Sequence, residues 1–364
     1  MIVEKVILFD IVTPKWVKFF KELFPYIEER QIKYLVTTRG DKNYSQVIDL
    51  LKEYNIPYIK FGYYGKTLEE KLRSSLYRQY KLLKIVKKYN VTTIVSGCSY
   101  DANRVAFGLK LENINFDDMP TKSYKFQVKD YVPQTRLCLP LSTKVFKPFV
   151  VPDSIYIRLG LSKNQIFTYN FLDPLIWLRN FKFDEKYFME NFGKYLNLKL
   201  PIIVIREEEI FSSYVNNKDL ENTLHFKILK YFYEQKEKYN VVVLPRYKKT
   251  YKIYKKYFPK MLVLEEAKEI LHLLYKSHIF IGGGGTINIE AAYLGNLVIS
   301  TRSFLSHYDK YLLNENLMYH IKNFKEFLNI INSKKVSKIK KYNLKYIYKT
   351  INKEIEKMVD NLLL

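Results

Sequence analysis

Residues 279–300 read Ile-Phe-Ile-Gly-Gly-Gly-Gly-Thr-Ile-Asn-Ile-Glu-Ala-Ala-Tyr-Leu-Gly-Asn-Leu-Val-Ile-Ser. An apolar strand runs into four glycines, Gly282 to Gly285, and Thr286 stands where a helix should begin. Without side chains, that bend lets a ligand lie directly on the backbone. The unpaired N–H groups and the positive dipole end of the following helix both favour a phosphate there. Glu290, in the second turn, could accept hydrogen bonds from sugar hydroxyls beside the phosphate. The chemistry indicated is recognition of a nucleotide sugar, with Gly283, Gly284, Gly285 and Thr286 on a diphosphate and Glu290 on a ribose or hexose. The structural alternative is a tight turn that brings the helix close to the sheet. The chain has only 12 glycines, and four in one run exceed what a turn requires. The spacing is neither the G-x-G-x-x-G dinucleotide fingerprint nor a P-loop, since no Gly-Lys-Thr closes it. A second candidate, Gly62-Tyr63-Tyr64-Gly65-Lys66-Thr67, ends like a P-loop, but its first glycine comes two positions too late. It reads better as a turn in which Thr67 caps a helix and Glu70 completes a capping box.

Other groups with chemical potential follow predicted strands. Asp10 comes directly after the first strand, where a carboxylate could act as a base or bind a sugar. Thr13 and Pro14 then read as the cap and first position of a helix. In Ser96-Gly97-Cys98-Ser99-Tyr100-Asp101-Ala102-Asn103-Arg104, Ser99 or Asp101 caps the next helix. Arg104 lies in its first turns, against the dipole preference, and so has an anion to meet: a ligand or Asp101. Asp117 and Asp118 fit catalysis, a divalent metal or a solvated turn. Arg206 and Arg246 each follow a strand of the second half and could clamp phosphate with paired hydrogen bonds. Ser300-Thr301-Arg302 and the loop to His307 make a further such position. Neither the histidines nor Cys98 and Cys138 show metal-binding spacing.

These groups need a scaffold, and the sequence describes one. In the first half, strand patterns at 5–9, 32–37, 58–61, 92–96 and 113–116 alternate with helical patterns at 14–30, 44–54, 67–89 and 101–110. Residues 117–175 hold half of the prolines and read as irregular. The alternation resumes with strands at 201–206, 240–244, 261–264, 278–281 and 297–300, and helices at 217–237, 248–257, 266–275, 286–294, 323–332 and 337–362. This is the pattern of two α/β domains, each a doubly wound parallel sheet covered on both faces. The expected boundaries are 1–172 and 173–364, with the ligand in a cleft beyond the carboxyl ends of the strands.

Composition narrows the function classes. Nearly half of the 364 residues are apolar, which argues against disorder. No run reaches the length of a membrane span, and the start reads as a strand rather than a secretion signal, so a cytoplasmic protein is expected. The net charge of +24 fits polyanionic ligands, an anionic membrane or nucleic acid. Its densest run, residues 334–341, reads first as a solvated helix face and second as a membrane contact. No nucleic-acid-binding signature supports the third class.

Four patterns together carry a resemblance: Phe-Asp-Ile-x-Thr-Pro (9–14), Asp-Ala-x-Arg-Val-Ala-Phe-Gly (101–108), Leu-Pro-Arg (244–246) and Gly-Gly-Thr-x-Asn-x-Glu-Ala-Ala-x-Leu-Gly (284–295). The chain resembles the mostly archaeal "domain of unknown function 354" family, over most of its length to about residue 320. That family looks like the GT-B glycosyltransferases and the non-hydrolysing UDP-N-acetylglucosamine 2-epimerases. The resemblance implies two Rossmann-like domains, with a nucleotide-diphosphate sugar, expected to be a UDP-sugar, bound mainly by the second. Asn288 joins the donor-binding set through the motif, and the last helix (337–362) is expected to return to the first domain. The family commonly has His where this chain has Trp16, and an Asp-x-x-His-like segment where it has Asp117-Asp118-Met119-Pro120-Thr121-Lys122. Asp10, Asp101 and Asp118 are thus left as candidate bases. The leading expectation is a glycosyltransferase that needs no metal or cofactor, its acceptor a small molecule or lipid-linked at a membrane. The alternatives are a UDP-sugar 2-epimerase-like enzyme and a non-catalytic nucleotide-sugar or polyanion-binding protein.

Overall fold

The computed structural model describes residues 5–41, 45–207, 223–245, 248–265, 269–333 and 344–364. The chain divides into two compact units, one of residues 1–177 with 348–364 and the other of residues 178–347.

Unit one is built on seven strands: β1 (Val6–Asp10), β2 (Lys33–Thr38), β3 (Ile59–Lys60), β4 (Thr93–Ser96), β5 (Glu112–Phe116), β6 (Lys144–Pro148) and β7 (Ile166–Tyr169). They lie in the order β3-β2-β1-β4-β5-β6-β7, and every pairing is parallel. All five β1 residues are buried, as expected of a parallel strand covered on both faces. Strand alternation sends Val6, Leu8 and Asp10 to one face. Val6 and Leu8 pack there with Leu82 and Val86 of the Leu68–Lys88 helix. On the other face Phe9 meets Phe20 and Phe24, with ring centroids 5.3 and 5.2 Å away. Arg78 lies one turn before Leu82 on the same buried stripe. The helix register thus offers an arginine where the strand register offers Asp10.

Residues 117–175 depart from the irregular segment expected of them, since β6 and β7 extend the sheet there. Two of the prolines mark element ends: Pro133 opens the Pro133–Cys138 helix and Pro148 closes β6. Lys147, inside β6, is buried because its ammonium reaches Val151 O (2.8 Å) and the Asp153 carboxylate (2.7 Å). The C-terminal helix, Leu344–Leu363, belongs to unit one from Tyr348 on and buries Ile351, Ile355, Met358, Val359 and Leu362. Its last carbonyls are met by cations, with Lys5 Nζ 3.0 and 2.8 Å from Leu362 O and Leu363 O, and Lys144 Nζ 3.0 Å from Asn361 O.

Unit two holds a six-stranded parallel sheet: β8 (Ile202–Arg206), β9 (Asn240–Leu244), β10 (Leu262–Val263), β11 (Ile279–Gly282), β12 (Leu297–Ser300) and β13 (Tyr319–His320), in the order β10-β9-β8-β11-β12-β13. Its core joins alternate residues of the central strands, such as Ile203, Ile205, Ile279 and Ile281, to Phe226, Phe232 and Phe327 of the covering helices. In each unit the chain leaves one central strand toward one edge and later returns on its other side. The reversal points are β1/β4 in unit one and β8/β11 in unit two. Ligands of open α/β sheets bind outside the carboxyl ends of the strands at such points.

Candidate functional site

The glycine bend lies at the reversal point of unit two. Gly282 is paired in register with Arg206 of β8 and Ser300 of β12. The bend then enters the Gly285–Tyr293 helix with Gly284 as its N-cap. The glycines have different reasons to be glycine. A Cβ on Gly282 would come within 2.9 Å of the Phe280 ring and 3.2 Å of Arg206 Cβ, so close packing requires glycine there. Gly284 has φ −113° and ψ 139°, a conformation any residue adopts, and a Cβ there would meet nothing within 4 Å. Neither backbone geometry nor packing demands glycine at 284. A Cβ on Gly285 would lie 3.3 Å from Arg302 Nη1. The first N–H groups of this helix have no acceptor within it, and glycine at the N-cap offers no side chain to meet them.

Arg302 is the cation beside the bend. Its guanidinium is buried, stacks 4.0 Å over Phe304 and is held by Asp309 Oδ2 at 2.8 Å. Asp309 in turn forms a capping box with Ser306 at the start of the His307–Asn314 helix. The arginine next to the glycines is therefore fixed by a rigid helix end. Arg206 is half-buried, with Nη1 3.4 Å from Pro245 O. Arg246 lies outside the described residues. Glu207, completely buried, accepts from Thr250 Oγ1 at 2.7 Å and Tyr254 OH at 3.1 Å. Gly283 is buried and Thr286 half-buried at the helix start. Glu290 is buried in the second turn, and Asn288 points its amide nitrogen at Met318 Sδ (3.5 Å). Asn288 Oδ1 and His307 Nε2 are buried without a hydrogen-bond partner among the described residues. Burial pulls the pKa of His307 down to about 4, so its ring is neutral at pH 7.

At the reversal point of unit one the polar groups meet one another. Asp10, Asp101 and Arg78 form a buried ion triad. Arg78 Nη2 is 2.8 Å from both Asp10 oxygens, its Nε 2.9 Å from Asp101 Oδ2, and its Nη1 3.1 Å from Phe61 O. Asp10 also accepts from Thr37 Oγ1 at 2.8 Å and Ser99 Oγ at 2.5 Å. Ser99 does occupy the N-cap of the Tyr100–Gly108 helix, but its hydroxyl goes to Asp10 instead of capping. Thr13 likewise stands at an N-cap without a side-chain cap bond, whereas Thr67 and Glu70 form the full capping box. Asp101 accepts a short hydrogen bond from Ser75 Oγ. Burial raises the Asp101 pKa, against the pull of Ser75 and Arg78. Arg104 is exposed on its helix, and Asp101 is turned to Arg78.

A second acidic group follows β5 and β7. Lys15 Nζ bridges Asp118 Oδ2 and Asp173 Oδ2, at 2.5 Å each, and lies 4.3 Å over the Trp16 ring. Burial opposes its charge, but the two carboxylates outweigh that and raise its pKa. Asp117, buried beside them, accepts from Thr135 Oγ1 (3.2 Å) and the Met119 N–H (3.3 Å). Burial first and the Asp118 charge second lift its pKa to about 7. Trp16 fills the space above Gly97, where a Cβ would sit 1.8 Å from Trp16 Nε1. Among the described residues no group of three or more His, Cys, Asp or Glu is placed to hold a metal ion.

Residues 5–363 match the family described as "Protein of unknown function (DUF354)". The chain belongs to that family. A relative in Methanocaldococcus jannaschii, itself uncharacterized, is 28% identical over 329 residues, 88% of this chain and 89% of its own. Among solved structures, the UDP-GlcNAc 2-epimerase of Neisseria meningitidis bound to UDP-GlcNAc superposes with a TM-score of 0.75 at 14% identity, covering 98% of this chain and 99% of that one. The UDP-GlcNAc 2-epimerase of M. jannaschii, in complex with UDP-GlcNAc and UDP, gives 0.69 at 15% identity over 98% and 99%. A glycosyltransferase of Rickettsia africae gives 0.60 at 13% identity over 99% and 98%. This DUF354 protein thus has a GT-B-like fold of two parallel-sheet α/β domains.

Several groups that matter in this DUF354 chain carried little signal in its sequence. Arg78 lies mid-helix, 68 residues from Asp10. Asp309 and Glu207 sit among ordinary charged residues. Only the Arg78-Leu82-Val86 spacing hinted that the arginine faces inward.

Proposed function

We propose that the glycine bend of unit two binds the diphosphate of a nucleotide sugar, expected to be a UDP-sugar, and that the protein is a glycosyltransferase. The observation that carries this reading is Gly284, a glycine required by neither its dihedrals nor its neighbours, with open space above it at the uncapped start of a helix. The main-chain N–H groups and the fixed guanidinium of Arg302 offer a preorganised field for a diphosphate leaving group. Glu290 and Asn288, in the next turn, supply the polar groups for sugar hydroxyls. Solved proteins of the same fold bind UDP-GlcNAc or UDP, which supports the ligand class.

Transfer needs one group to take the acceptor proton. Asp10 and Asp101 are locked on Arg78, and Asp118 is paired with Lys15. Asp117, whose proton state changes near neutral pH, is the carboxyl suited to that exchange. Epimerisation is the second reading, favoured by the higher superposition scores of the two epimerases. It needs two proton-handling groups on opposite faces of one sugar carbon. The experiment is a calorimetric screen of nucleotides and nucleotide sugars, followed by incubation of each bound sugar nucleotide with and without acceptors in deuterated water. Sugar transfer that requires an acceptor supports the proposal. Deuterium at one sugar carbon without acceptor assigns the epimerase, and no nucleotide binding removes both readings.

A further inference from the structure

The Leu68–Lys88 helix buries Ser74, Arg78, Leu82 and Val86, but its opposite face is not simply polar. Leu68 (85% exposed), Leu72 (59%), Leu76 (59%) and Tyr80 (53%) follow one another at four-residue spacing. At 3.6 residues per turn such a row drifts only about 40° per step, so it forms a continuous ridge. Phe107, on the Tyr100–Gly108 helix packed alongside, is exposed as well. A solvated helix face ordinarily carries charge at these positions, and a contiguous exposed apolar row marks an interaction surface.

The charges around the ridge identify its partner. Lys84 Nζ lies 4.5 Å over the Tyr80 ring, Lys81 Nζ 5.3 Å over Tyr77, and Lys71 Nζ 5.3 Å over Tyr64. The acids nearby are already engaged: Glu69 pairs with Arg73 at 2.7 Å, and Glu70 accepts the Lys66 and Thr67 N–H groups. What remains is an apolar ridge lined by lysines and tyrosines on a chain of net charge +24. Pairing with a second copy would set this cationic helix against itself. A surface that supplies both acyl chains and negative headgroups satisfies the leucines and the lysines together, with tyrosine suited to the boundary between them. We infer that the exposed face of the Leu68–Lys88 helix docks the protein on an anionic membrane surface. Attachment is interfacial, because among the described residues no helix is long and apolar enough to cross a membrane.

The test is sedimentation of the full-length protein with vesicles of equal parts phosphatidylcholine and phosphatidylglycerol, and with vesicles of phosphatidylcholine alone. The parent protein should bind the anionic vesicles at least tenfold better than the neutral ones, with binding reduced by salt. A Leu72→Ser/Leu76→Ser double variant should lose at least tenfold in vesicle affinity while keeping its melting temperature, and Lys84→Glu/Lys88→Glu should do the same. UDP affinity should not change in either variant, so this result stands apart from the fate of the phosphate-site reading. Undiminished vesicle binding by the leucine variant overturns the inference. So does light scattering that shows a parent dimer which the leucine variant breaks, since the face would then belong to a second copy.

Discussion

Gly284→Val separates a ligand-driven glycine from a structural one. At φ −113° and ψ 139° a β-branched residue is unstrained, and the new Cβ meets no atom within 4 Å. Replacing glycine at a compatible position changes stability by only about 1 kcal/mol, mostly through the unfolded chain. The fold should therefore survive with its melting temperature nearly unchanged. If a diphosphate lies on this backbone, the valine methyls occupy its place. Hydrogen bonds to a charged group are each worth about 1.5–3 kcal/mol. Losing two costs about 3–6 kcal/mol, and at 1.4 kcal/mol per factor of ten that is roughly a hundredfold to ten-thousandfold in UDP affinity. Titration calorimetry with UDP measures the affinity, and a thermal melt of the same sample checks the fold. A melting temperature and a UDP Kd both equal to those of the parent would show that nothing binds at the bare helix start.

Four further outcomes follow from the same geometry. Glu290→Gln should weaken UDP binding more than inorganic phosphate binding; equal losses in competitive calorimetry would remove its hydroxyl-binding role. Arg78→Leu leaves two buried carboxylates without their cation, so urea denaturation should show a loss of about 3–5 kcal/mol, and a loss below about 1 kcal/mol would deny the triad its role. Gly97→Ala drives a methyl into Trp16 and should cost about 1–3 kcal/mol in the same assay, partly recovered by Trp16→Leu. Asp117 has a folded pKa of about 7, above the unfolded value near 4, so its proton stabilises the fold most below pH 4. That contribution, roughly 4 kcal/mol at about 1.4 kcal/mol per pH unit, is lost as pH rises to 7. Asp117→Asn should flatten the stability curve across that window, and a curve unchanged in slope would contradict the assigned shift.

The alternation of strands and helices was legible where buried strands are continuous apolar runs. The first strand, expected at 5–9, is Val6–Asp10, and the second, expected at 32–37, is Lys33–Thr38. Residues 117–175 were not legible as sheet. Their strands are short, Pro148 ends one of them, and Lys147 sits in a strand interior where pattern alone reads a surface. The glycine bend could be read because a run of bare backbone is a property of the sequence itself. Partner choice could not. Ser99 and Thr13 were placed at helix starts by local grammar, yet neither caps with its side chain, and Ser99 bonds instead to Asp10, 89 residues away in the chain. A hydroxyl follows the strongest acceptor within reach, and tertiary packing decides which acceptor that is.

The two reversal points make the same argument from opposite sides. Both units bring a central strand, its returning neighbour and a following helix to one edge of a parallel sheet, the geometry that leaves a crevice at strand ends. In unit one the chain supplies its own occupants: Arg78, 0% exposed, lies between Asp10 and Asp101, and Trp16 covers Gly97. One guanidinium is shared by two carboxylates there, and hydroxyls of Thr37, Ser75 and Ser99 supply further hydrogen bonds to them. In unit two the chain withholds side chains instead. Gly284 faces open space, a fixed arginine stands beside Gly285, and the helix start keeps its N–H groups uncapped. Buried or half-buried polar groups left without partners are costly unless something outside the chain meets them. On the proposed reading, an anion at that point would meet the N–H groups with the Asp309-held guanidinium close by, which places the proposed diphosphate site in unit two, whereas in unit one the chain's own side chains already occupy the corresponding point.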